Sequence, residues 1–213
     1  MYTPQHFEEK RPDVLARAIR DIQFALLVTA ADGKYFVSHL PMVLKQANGT
    51  FVLEAHVARP NEHWRALGSR PVSLAVFQGP QTYVSPSWYE SKRQHGKVVP
   101  TWNYVVVHAH GALEIVEDSD WLLAHLKDLV TANEGGREQP WSISDAPAEF
   151  IQSMTRAIVG LRLTVERLEG KWKMSQNRSQ ADRAIALAGL SASPKPADQA
   201  VAAIMRAMEM QQT

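Results

Sequence analysis

The segment at residues 56–64 is the first place where the residue types suggest a binding site. His56 and Arg59 end a run typical of a β-strand, and Asn61 could cap a short helix predicted over residues 61–67. The unpaired N–H groups at the start of a helix, next to a guanidinium group, attract phosphate. The alternative is an ordinary helix cap beside a solvated arginine. That arrangement is the commoner one, and it stays open at this point.

Aromatic residues gather in two neighbouring segments, residues 83–89 and 99–104. The second segment contains Trp102 and Asn103, and hydroxyl and amide groups are interspersed among the rings. Apolar walls with a few hydrogen-bonding groups suit a flat conjugated ligand. The same rings could instead fill a corner of the hydrophobic core, and the residue types alone favour neither interpretation.

A third segment, residues 171–178, is basic and follows an acidic part of the chain. Residues 156–183 contain 7 basic and 3 acidic side chains, whereas residues 114–149 contain 9 acidic and 2 basic ones. A basic patch of this kind could bind a phosphate, face the acidic stretch of a second subunit, or only meet water.

Two histidines raise the question of a metal site. His108 and His110 share one face of a predicted strand, because alternate residues of a strand point the same way. Two imidazoles could ligate a metal ion, but no third ligand lies at a suitable spacing, and we predict no metal site. The sequence has 0 Cys, which excludes disulfides, iron–sulfur clusters and zinc-thiolate sites.

Length and charge narrow the class of protein. A chain of 213 residues is long enough to bury a core without disulfides or metals. Its 23 Lys and Arg against 22 Asp and Glu give a net charge of +1, unlike a dedicated nucleic-acid binder. The start of the sequence lacks the apolar stretch of a secretory signal, and no apolar run approaches the about 18 residues of a membrane span. We therefore expect a cytoplasmic protein without a membrane segment.

Hydrophobic periodicity predicts strands with helices around them. A helix at residues 12–22, with Pro12 and Asp13 in its first turn, precedes two hairpin turns, Asp32-Gly33 and Asn48-Gly49, so three antiparallel strands should form a meander. Further segments are predicted as strands (71–77, 104–116 and 159–165) or as helices (119–129, 180–190 and 198–210). This pattern fits a small β-barrel decorated by helices, and the parallel βαβ alternation of many nucleotide-binding folds is missing.

Taken in order, the motifs resemble those of one family. The resemblance rests on eight short stretches, at residues 1–7, 38–41, 56–64, 77–80, 83–89, 99–104, 108–111 and 173–178. Together they resemble the PaiB-like family, the FMN-binding negative transcriptional regulators, over residues 1–190. The resemblance implies a mainly β fold with peripheral helices, a split β-barrel of the FMN-binding type. Residues 191–213 are expected to form a C-terminal helical extension.

The resemblance also implies a cofactor and the residues that hold it. FMN would lie at the interface between the two subunits of a homodimer. The implied site residues are those at the 5′-phosphate (His56, Arg59 and Asn61), those along the ring (Trp102 and Asn103), those from the C-terminal segment (Lys173, Gln176, Asn177 and Arg178), and His39, which touches the flavin or supports it.

Two functions follow from the resemblance. The first is an FMN-binding homodimeric regulator of transcription. The alternative is a flavin-dependent oxidoreductase related to pyridoxamine-phosphate oxidases and flavin reductases. We do not expect direct DNA binding, because the net charge is only +1 and a proline-containing linker, residues 191–196, separates the two C-terminal helical segments. A helix-turn-helix motif has a tighter turn at that place.

Overall fold

A computed structural model describes residues 1–65, 67 and 71–210. The described residues contain eight β-strands and six α-helices. The strands are β1 (Glu8–Glu9), β2 (Phe24–Ala31), β3 (Lys34–Pro41), β4 (Val43–Ala47), β5 (Thr50–Ala58), β6 (Val72–Val84), β7 (Thr101–Val116) and β8 (Ile158–Lys173). The helices are α1 (Pro12–Ile22), α2 (Glu90–Gln94), α3 (Ser119–Glu134), α4 (Ala148–Arg156), α5 (Gln180–Ala192) and α6 (Pro196–Met210). Short 3-10 turns occupy Gln5–Phe7, Pro86–Trp88 and Ile143–Asp145.

Contacts divide the chain into two compact units. Unit 1 contains residues 1–15, 78–107 and 169–213, and unit 2 contains residues 16–77 and 108–168. The boundary predicted at residue 190 stays a prediction. Residues 191–210 belong to unit 1, and residues 211–213 lie outside the described part of the chain.

The strands follow the order β3-β2-β6-β7-β8-β5-β4, and β1 pairs with β8 outside this path. Within unit 2, only Met42 separates β3 from β4, although these strands stand at opposite ends of the order. A sheet whose first and last strands are joined by one residue must curl back on itself, as the strands of a barrel do. The predicted mainly β architecture with peripheral helices is therefore confirmed.

Both predicted hairpin turns of unit 2 are present, and their residue types explain them. Asp32 and Gly33 have φ angles of 50° and 73°, and Asn48 and Gly49 have φ angles of 50° and 80°. Positive φ at both central residues characterises the two-residue turn whose twist matches a β-hairpin, and Asn, Asp and Gly tolerate it best. The turns join β2 to β3 and β4 to β5.

Each unit has its own hydrophobic core. In unit 2, inward-facing leucines of β2, β5 and β8 are at most 1% exposed (Leu27, Leu53, Leu161 and Leu163). In unit 1, α5 and α6 contribute Leu190, Val201 and Met205 to a cluster that also contains Val105 and Met174. No described helix is both long and apolar enough to cross a membrane.

The predicted three-stranded meander is wrong. The segment expected to be one strand breaks at Met42, where β3 ends at Pro41 and β4 begins at Val43. β3 pairs with β2 and β4 pairs with β5, and the two hairpins are not neighbours in the sheet. Local alternation of residue types cannot reveal such a break, because β3 and β4 are equally strand-like in sequence.

The short helix predicted over residues 61–67 is also absent from the described residues. Residues 62–65 form turns, residue 67 has no regular structure, and residue 66 lies outside the description. Asn61 still caps the turn, because its Oδ1 accepts a hydrogen bond from the backbone N–H of His63 at 2.9 Å. The side chain was correctly interpreted as a cap, but what it caps is a turn.

Three features of the C-terminal half also differ from the prediction. Helix α4, residues 148–156, was not predicted, and β8 continues to Lys173 instead of ending near residue 165. Helices α5 and α6 are separated by residues 193–195 alone, so the linker is shorter than expected. β8 extends through a charged sequence because β1 pairs with its last part, Gly170 and Lys171.

Candidate functional site

The predicted site residues are distributed over both units. His39, His56, Arg59 and Asn61 belong to unit 2, and the other six belong to unit 1. Each unit therefore presents its own group of candidate residues.

In unit 2, Arg59 follows β5 and makes three hydrogen bonds to the protein. Its Nε donates to the carbonyl of Arg156 at 3.0 Å, Nη2 donates to the carbonyl of Ile158 at 3.2 Å, and Nη1 donates to Glu117 Oε1 at 2.7 Å. The guanidinium thus ties the end of β5 to the junction between α4 and β8. The ion pair with Glu117 is partly exposed. Exposed ion pairs contribute little to stability, so another anion can replace the carboxylate.

A second arginine lies beside the first. The guanidinium carbons of Arg59 and Arg65 lie 5.9 and 5.4 Å from the centre of the Trp64 ring, and Trp64 Nε1 donates to the Arg59 carbonyl at 2.9 Å. Arg65 forms no ion pair with any carboxylate in the described part of the chain. We call residues 59–65 the arginine turn. Its two guanidinium groups on one indole are a donor set that suits phosphate oxygens.

A buried histidine fixes the arginine turn. His63 is 2% exposed, and its Nδ1 and Nε2 lie 2.9 Å from the hydroxyls of Ser38 and Thr29, respectively. Asn61 Nδ2 donates to the same Ser38 hydroxyl at 3.3 Å. Burial lowers the pKa of His63, so the ring is neutral at pH 7 and joins the hydroxyls through one donor and one acceptor nitrogen. The side chain of Asn61 is thus engaged in holding the turn.

His56 meets a histidine that the sequence analysis did not single out. Its Nδ1 lies 3.1 Å from Nε2 of His125, a fully buried residue of α3 whose ring stacks on Trp121. Burial, and next the charge of His56, lowers the pKa of His125 to about 4. Burial also lowers the pKa of His56, so both rings are neutral at pH 7.

The hydrogen-bonding of this pair decides which nitrogen of His56 carries a proton. Nδ1 of His125 is buried and has no partner among the described residues. A buried N–H without an acceptor is rarer than an unpaired acceptor, which favours the proton on Nε2 of His125. That nitrogen then donates to His56 Nδ1, and His56 keeps its own proton on Nε2. His56 therefore offers an N–H donor, which suits an anionic oxygen.

His39 lies on the outward face of β3. Its ring packs on Phe24 with a centroid distance of 6.4 Å, and Tyr35 and Val37 share its side of the strand. Phe24, Tyr35 and Val37 are each at least half exposed. Around His39 the outer surface of the hairpin is thus apolar.

In unit 1, three cations stand close together. Lys171 is 8% exposed, and its Nζ lies 5.4 Å from the centre of the Tyr104 ring, while Nζ of Lys173 lies 6.0 Å from the same ring. Burial, and then the charges of Lys171 and Arg178, lowers the pKa of Lys173. We call Lys171, Lys173 and Arg178 the cation cluster. Among the described residues, no carboxylate forms an ion pair with any of the three.

An exposed indole lies next to this cluster. Trp102 is 53% exposed and meets Tyr83 edge to face at a centroid distance of 6.3 Å. Lys173 Nζ donates to the backbone carbonyl of Trp102 at 2.6 Å and to the Thr101 hydroxyl. Unit 1 therefore presents an aromatic surface and excess positive charge at one place, which suits a flat anionic ligand.

The remaining predicted residues of unit 1 belong to the loop after β8. Ser175 has a φ of 65°, a left-handed conformation, and its hydroxyl donates to Oδ1 of the fully buried Asn103 at 3.0 Å. Gln176 bridges the loop, because its Oε1 accepts from Met174 N and its Nε2 donates to the Trp172 carbonyl. Asn103 and Gln176 thus hold the loop that carries Arg178, whereas Asn177 is exposed.

Comparison with known proteins identifies the family. Residues 1–167 match the model of a family described as "Putative FMN-binding domain". The chain belongs to this family of FMN-binding proteins. A curated relative, "Protease synthase and sporulation protein PAI 2" of Bacillus subtilis, is 30% identical over 85% of this chain and 85% of its own length, so the chain is a PaiB-like member. The predicted family and FMN as its cofactor are confirmed.

Solved structures support the fold of the PaiB-like chain. The flavocytochrome Anf3 from Azotobacter vinelandii matches with a TM-score of 0.59 and 13% identity, over 86% of this chain and 78% of its own. A FAD and heme binding protein from Mycobacterium smegmatis matches with a TM-score of 0.56 and 14% identity, over 83% of this chain and 78% of its own. At such low identity the likeness concerns the fold alone, and the predicted split-barrel class is confirmed.

The residues of the PaiB-like chain fit FMN. The cofactor combines a phosphate with a flat conjugated ring. The arginine turn supplies guanidinium donors, and the surroundings of Trp102 supply an exposed indole together with cations that lack a carboxylate partner within the described residues. The matched family region ends at residue 167, four residues before Lys171, so the cation cluster lies beyond it.

Two residues that shape these groups, Arg65 and His125, lie outside the candidate segments found from sequence. Two others, Tyr104 and Lys171, lie within those segments but were not named as site residues. Arg65 and Lys171 stand within two residues of predicted site residues or motifs, and their charge was a usable signal. Tyr104 follows Trp102 by two positions, as residues on one face of a strand do. His125 carried no signal, because its contact with His56 spans 69 residues of sequence.

Proposed function

We propose that the protein is a cytoplasmic, homodimeric, FMN-binding regulator whose flavin lies at the interface between two copies. The observation that carries the proposal is the cation cluster, in which a lysine only 8% exposed has no carboxylate partner among the described residues. Lys171 donates to the Tyr2 carbonyl at 3.0 Å, and the lowered pKa of Lys173 reflects the cost of burying a positive charge beside two other cations. An electron-rich ligand beside these cations accounts for their presence.

The arginine turn is the proposed seat of the phosphate. Arg59 and Arg65 lie against one indole, and His56 offers its Nε2 proton as a further donor. The ion pair between Arg59 and Glu117 is partly exposed, so a doubly charged phosphate competes well for the guanidinium. Asn61 and His63 keep the turn in place.

The surroundings of Trp102 are the proposed contact for the ring. The indole is more than half exposed, whereas the Trp64 ring of the arginine turn is already covered by two guanidinium groups. When bound, FMN supplies two-electron redox chemistry. Lys173 and Arg178 would orient the ring and favour the addition of negative charge to it.

The outward face of β2 and β3 is the proposed dimer contact. Phe24, Tyr35 and Val37 are exposed, although strands usually turn polar residues to solvent. An apolar sheet face of this kind is typical of an interface. Val37→Glu should convert the dimer into monomers in light-scattering measurements, whereas Lys34→Glu, at the first residue of β3, should not.

The regulatory role is inferred from the family, since the Bacillus subtilis relative is named for protease synthase and sporulation. We propose that regulation works through a partner protein. Residues 180–210 carry three basic and three acidic side chains, which is a poor surface for nucleic acid although α5 and α6 are joined by a short turn. A salt-sensitive gel shift with promoter DNA would overturn this part.

Titration with two flavins tests the binding proposal. FMN should be bound more tightly than riboflavin, which lacks the phosphate, and its fluorescence should be quenched. Arg59→Gln should remove most of this preference, whereas Arg17→Gln, an exposed arginine of α1, should leave it intact. Absence of quenching at micromolar FMN would contradict the proposal.

Anaerobic mixing with NADH or NADPH separates the regulator from the alternative oxidoreductase. A regulator should keep its flavin absorbance over the time in which a flavin reductase turns over many times. Rapid bleaching would favour the oxidoreductase.

A further inference from the structure

A large groove lies in unit 2, between α3 and α4. Its volume is about 860 Å³, within the range of small-molecule sites. Leu123 and Lys127 line it from α3, Ile151 and Arg156 line it from α4, and the 3-10 turn at Ile143–Asp145 contributes Ile143. None of the predicted flavin residues lines it. We call this feature the helix groove.

Part of the wall of the helix groove is apolar, and polar or charged side chains form the rest. Leu123 and Val130 lie on the same face of α3, about two turns apart, and Ile151 faces the groove from α4. Ile143 adds a fourth branched side chain from the connecting segment. Such walls suit a hydrocarbon or aromatic body.

Positive charge predominates over negative charge along the groove. Lys127 and Arg156 line it, and neither forms an ion pair with any carboxylate in the described ranges. Asp120 is the one carboxylate among the described lining residues. Two cations against one anion, set beside apolar walls, are complementary to a molecule with an apolar body and one negative group.

Arg59 connects both helices that form the groove. Its Nε donates to the carbonyl of Arg156, the last residue of α4, and its Nη1 donates to Glu117, two residues before α3 begins. A ligand that moves either helix end therefore changes the hydrogen bonds of Arg59. The same guanidinium belongs to the arginine turn.

We propose that the helix groove is an effector site for a small amphipathic carboxylic acid. The apolar body lies between α3 and α4, and the carboxylate binds Lys127 and Arg156. Occupancy of the groove changes the affinity of the arginine turn for phosphate through Arg59. Binding in the groove stands on its own, whereas the coupling to FMN rests on the proposed function.

Calorimetric titration of the full-length protein with decanoate tests the site. Decanoate should bind with one copy per chain, decanol more weakly, and decylammonium not detectably. Lys127→Gln/Arg156→Gln should weaken decanoate binding roughly tenfold and leave decanol binding unchanged. The control is Lys34→Gln/Arg17→Gln, which changes the net charge equally at exposed positions outside the groove. Equal binding of decylammonium, or unchanged binding by the groove variant, overturns the proposal.

A second titration tests the coupling. Saturating decanoate should change the FMN affinity several-fold, and FMN should change the decanoate affinity by the same factor, because coupling free energies are reciprocal. Decanoate binding is measured without FMN, so a failure of the flavin proposal does not mimic a failure of the site. If decanoate binds and FMN affinity does not change, the coupling through Arg59 is wrong.

Discussion

The arginine turn and the cation cluster carry similar charge in different ways. The guanidinium of Arg59 donates three hydrogen bonds to other groups of the protein, and one of them goes to Glu117 at 2.7 Å. In the cation cluster, Lys171 and Lys173 form no ion pair with a carboxylate in the described part of the chain, and they lie against aromatic rings and backbone carbonyls. Arg59 is compensated by a carboxylate of the fold, whereas Lys171 and Lys173 are not compensated within the described residues.

The difference separates positive charge that stabilises a fold from positive charge left for a ligand. When a ligand binds a compensated guanidinium, it must displace the carboxylate partner, and the loss of that ion pair reduces the free energy of binding. An uncompensated ammonium group lowers the stability of the free protein. Binding of a negative or electron-rich group restores that stability. Removing charge from the two groups should therefore have opposite effects on stability.

The largest effect on ligand binding is expected from Lys171→Met/Lys173→Met. Two charge-assisted hydrogen bonds contribute about 3 kcal/mol or more together, so the affinities for both FMN and riboflavin should fall by about 100-fold. Thermal stability should stay the same or rise, because a costly buried charge is removed. Fluorescence titration and a melting curve measure the two effects. A clear loss of stability would show that the lysines are compensated after all.

Acid should destabilise the part of unit 2 that holds the arginine turn. The pKa of His125 is lowered from about 6.5 to about 4, so the unfolded chain binds more protons between these values. The contribution to stability is complete above pH 6.5 and is lost as the pH falls to 4, by about 3 kcal/mol. Denaturant titrations at several pH values measure it. His125→Phe should flatten the profile in this range, and an unchanged profile would contradict the buried histidine pair.

Arg59→Ala should weaken both function and fold. FMN affinity should fall by about 1–3 kcal/mol, with little change for riboflavin, because the phosphate loses a charge-assisted donor. The free energy of unfolding should fall by about 1 kcal/mol, since the bonds to the Arg156 and Ile158 carbonyls are lost. Urea titration beside the flavin titrations measures both. Loss of FMN affinity at full stability would place Arg59 on the uncompensated side of the comparison.

The smallest effect is expected from Trp102→Ala. The indole is 53% exposed, so stability should change by less than about 1 kcal/mol. Affinity for FMN and riboflavin should fall equally, by several-fold, because a ring contact does not depend on phosphate. Trp141→Ala, a similarly exposed indole, is the control. A selective loss of FMN binding would mean that Trp102 lies near the phosphate.

Local features of the fold could be predicted, and long-range pairings could not. The turns at residues 32–33 and 48–49 follow from Asp-Gly and Asn-Gly, whose backbone preferences are local. The break between β3 and β4 at Met42 depends on which strands pair. The hydrophobic periodicity of a strand does not indicate its pairing partner. The end of β8 was missed for the same reason, since β1 lies more than 150 residues earlier in the sequence.

The candidate site shows the same limit. Basic and aromatic segments were found from composition, but whether a charge is compensated depends on distant partners such as Glu117. Asn103 was expected along the ring, and that role stays a prediction; its side chain is fully buried and bonded to Ser175. Sequence can therefore locate the charges of a site more easily than it can reveal their free hydrogen-bonding capacity.

The break at Met42 has a practical consequence for protein engineering. Met42 is 3% exposed, and its N–H donates to the Gln23 carbonyl at 2.9 Å. Because a single residue connects β3 to β4, the connection cannot lengthen without moving a strand. A peptide tag or a new pair of chain ends placed at this position would separate the two hairpins. The exposed turn at Asn48 and Gly49 should accept the same insertion, because loops at turn tips lengthen at little entropic cost.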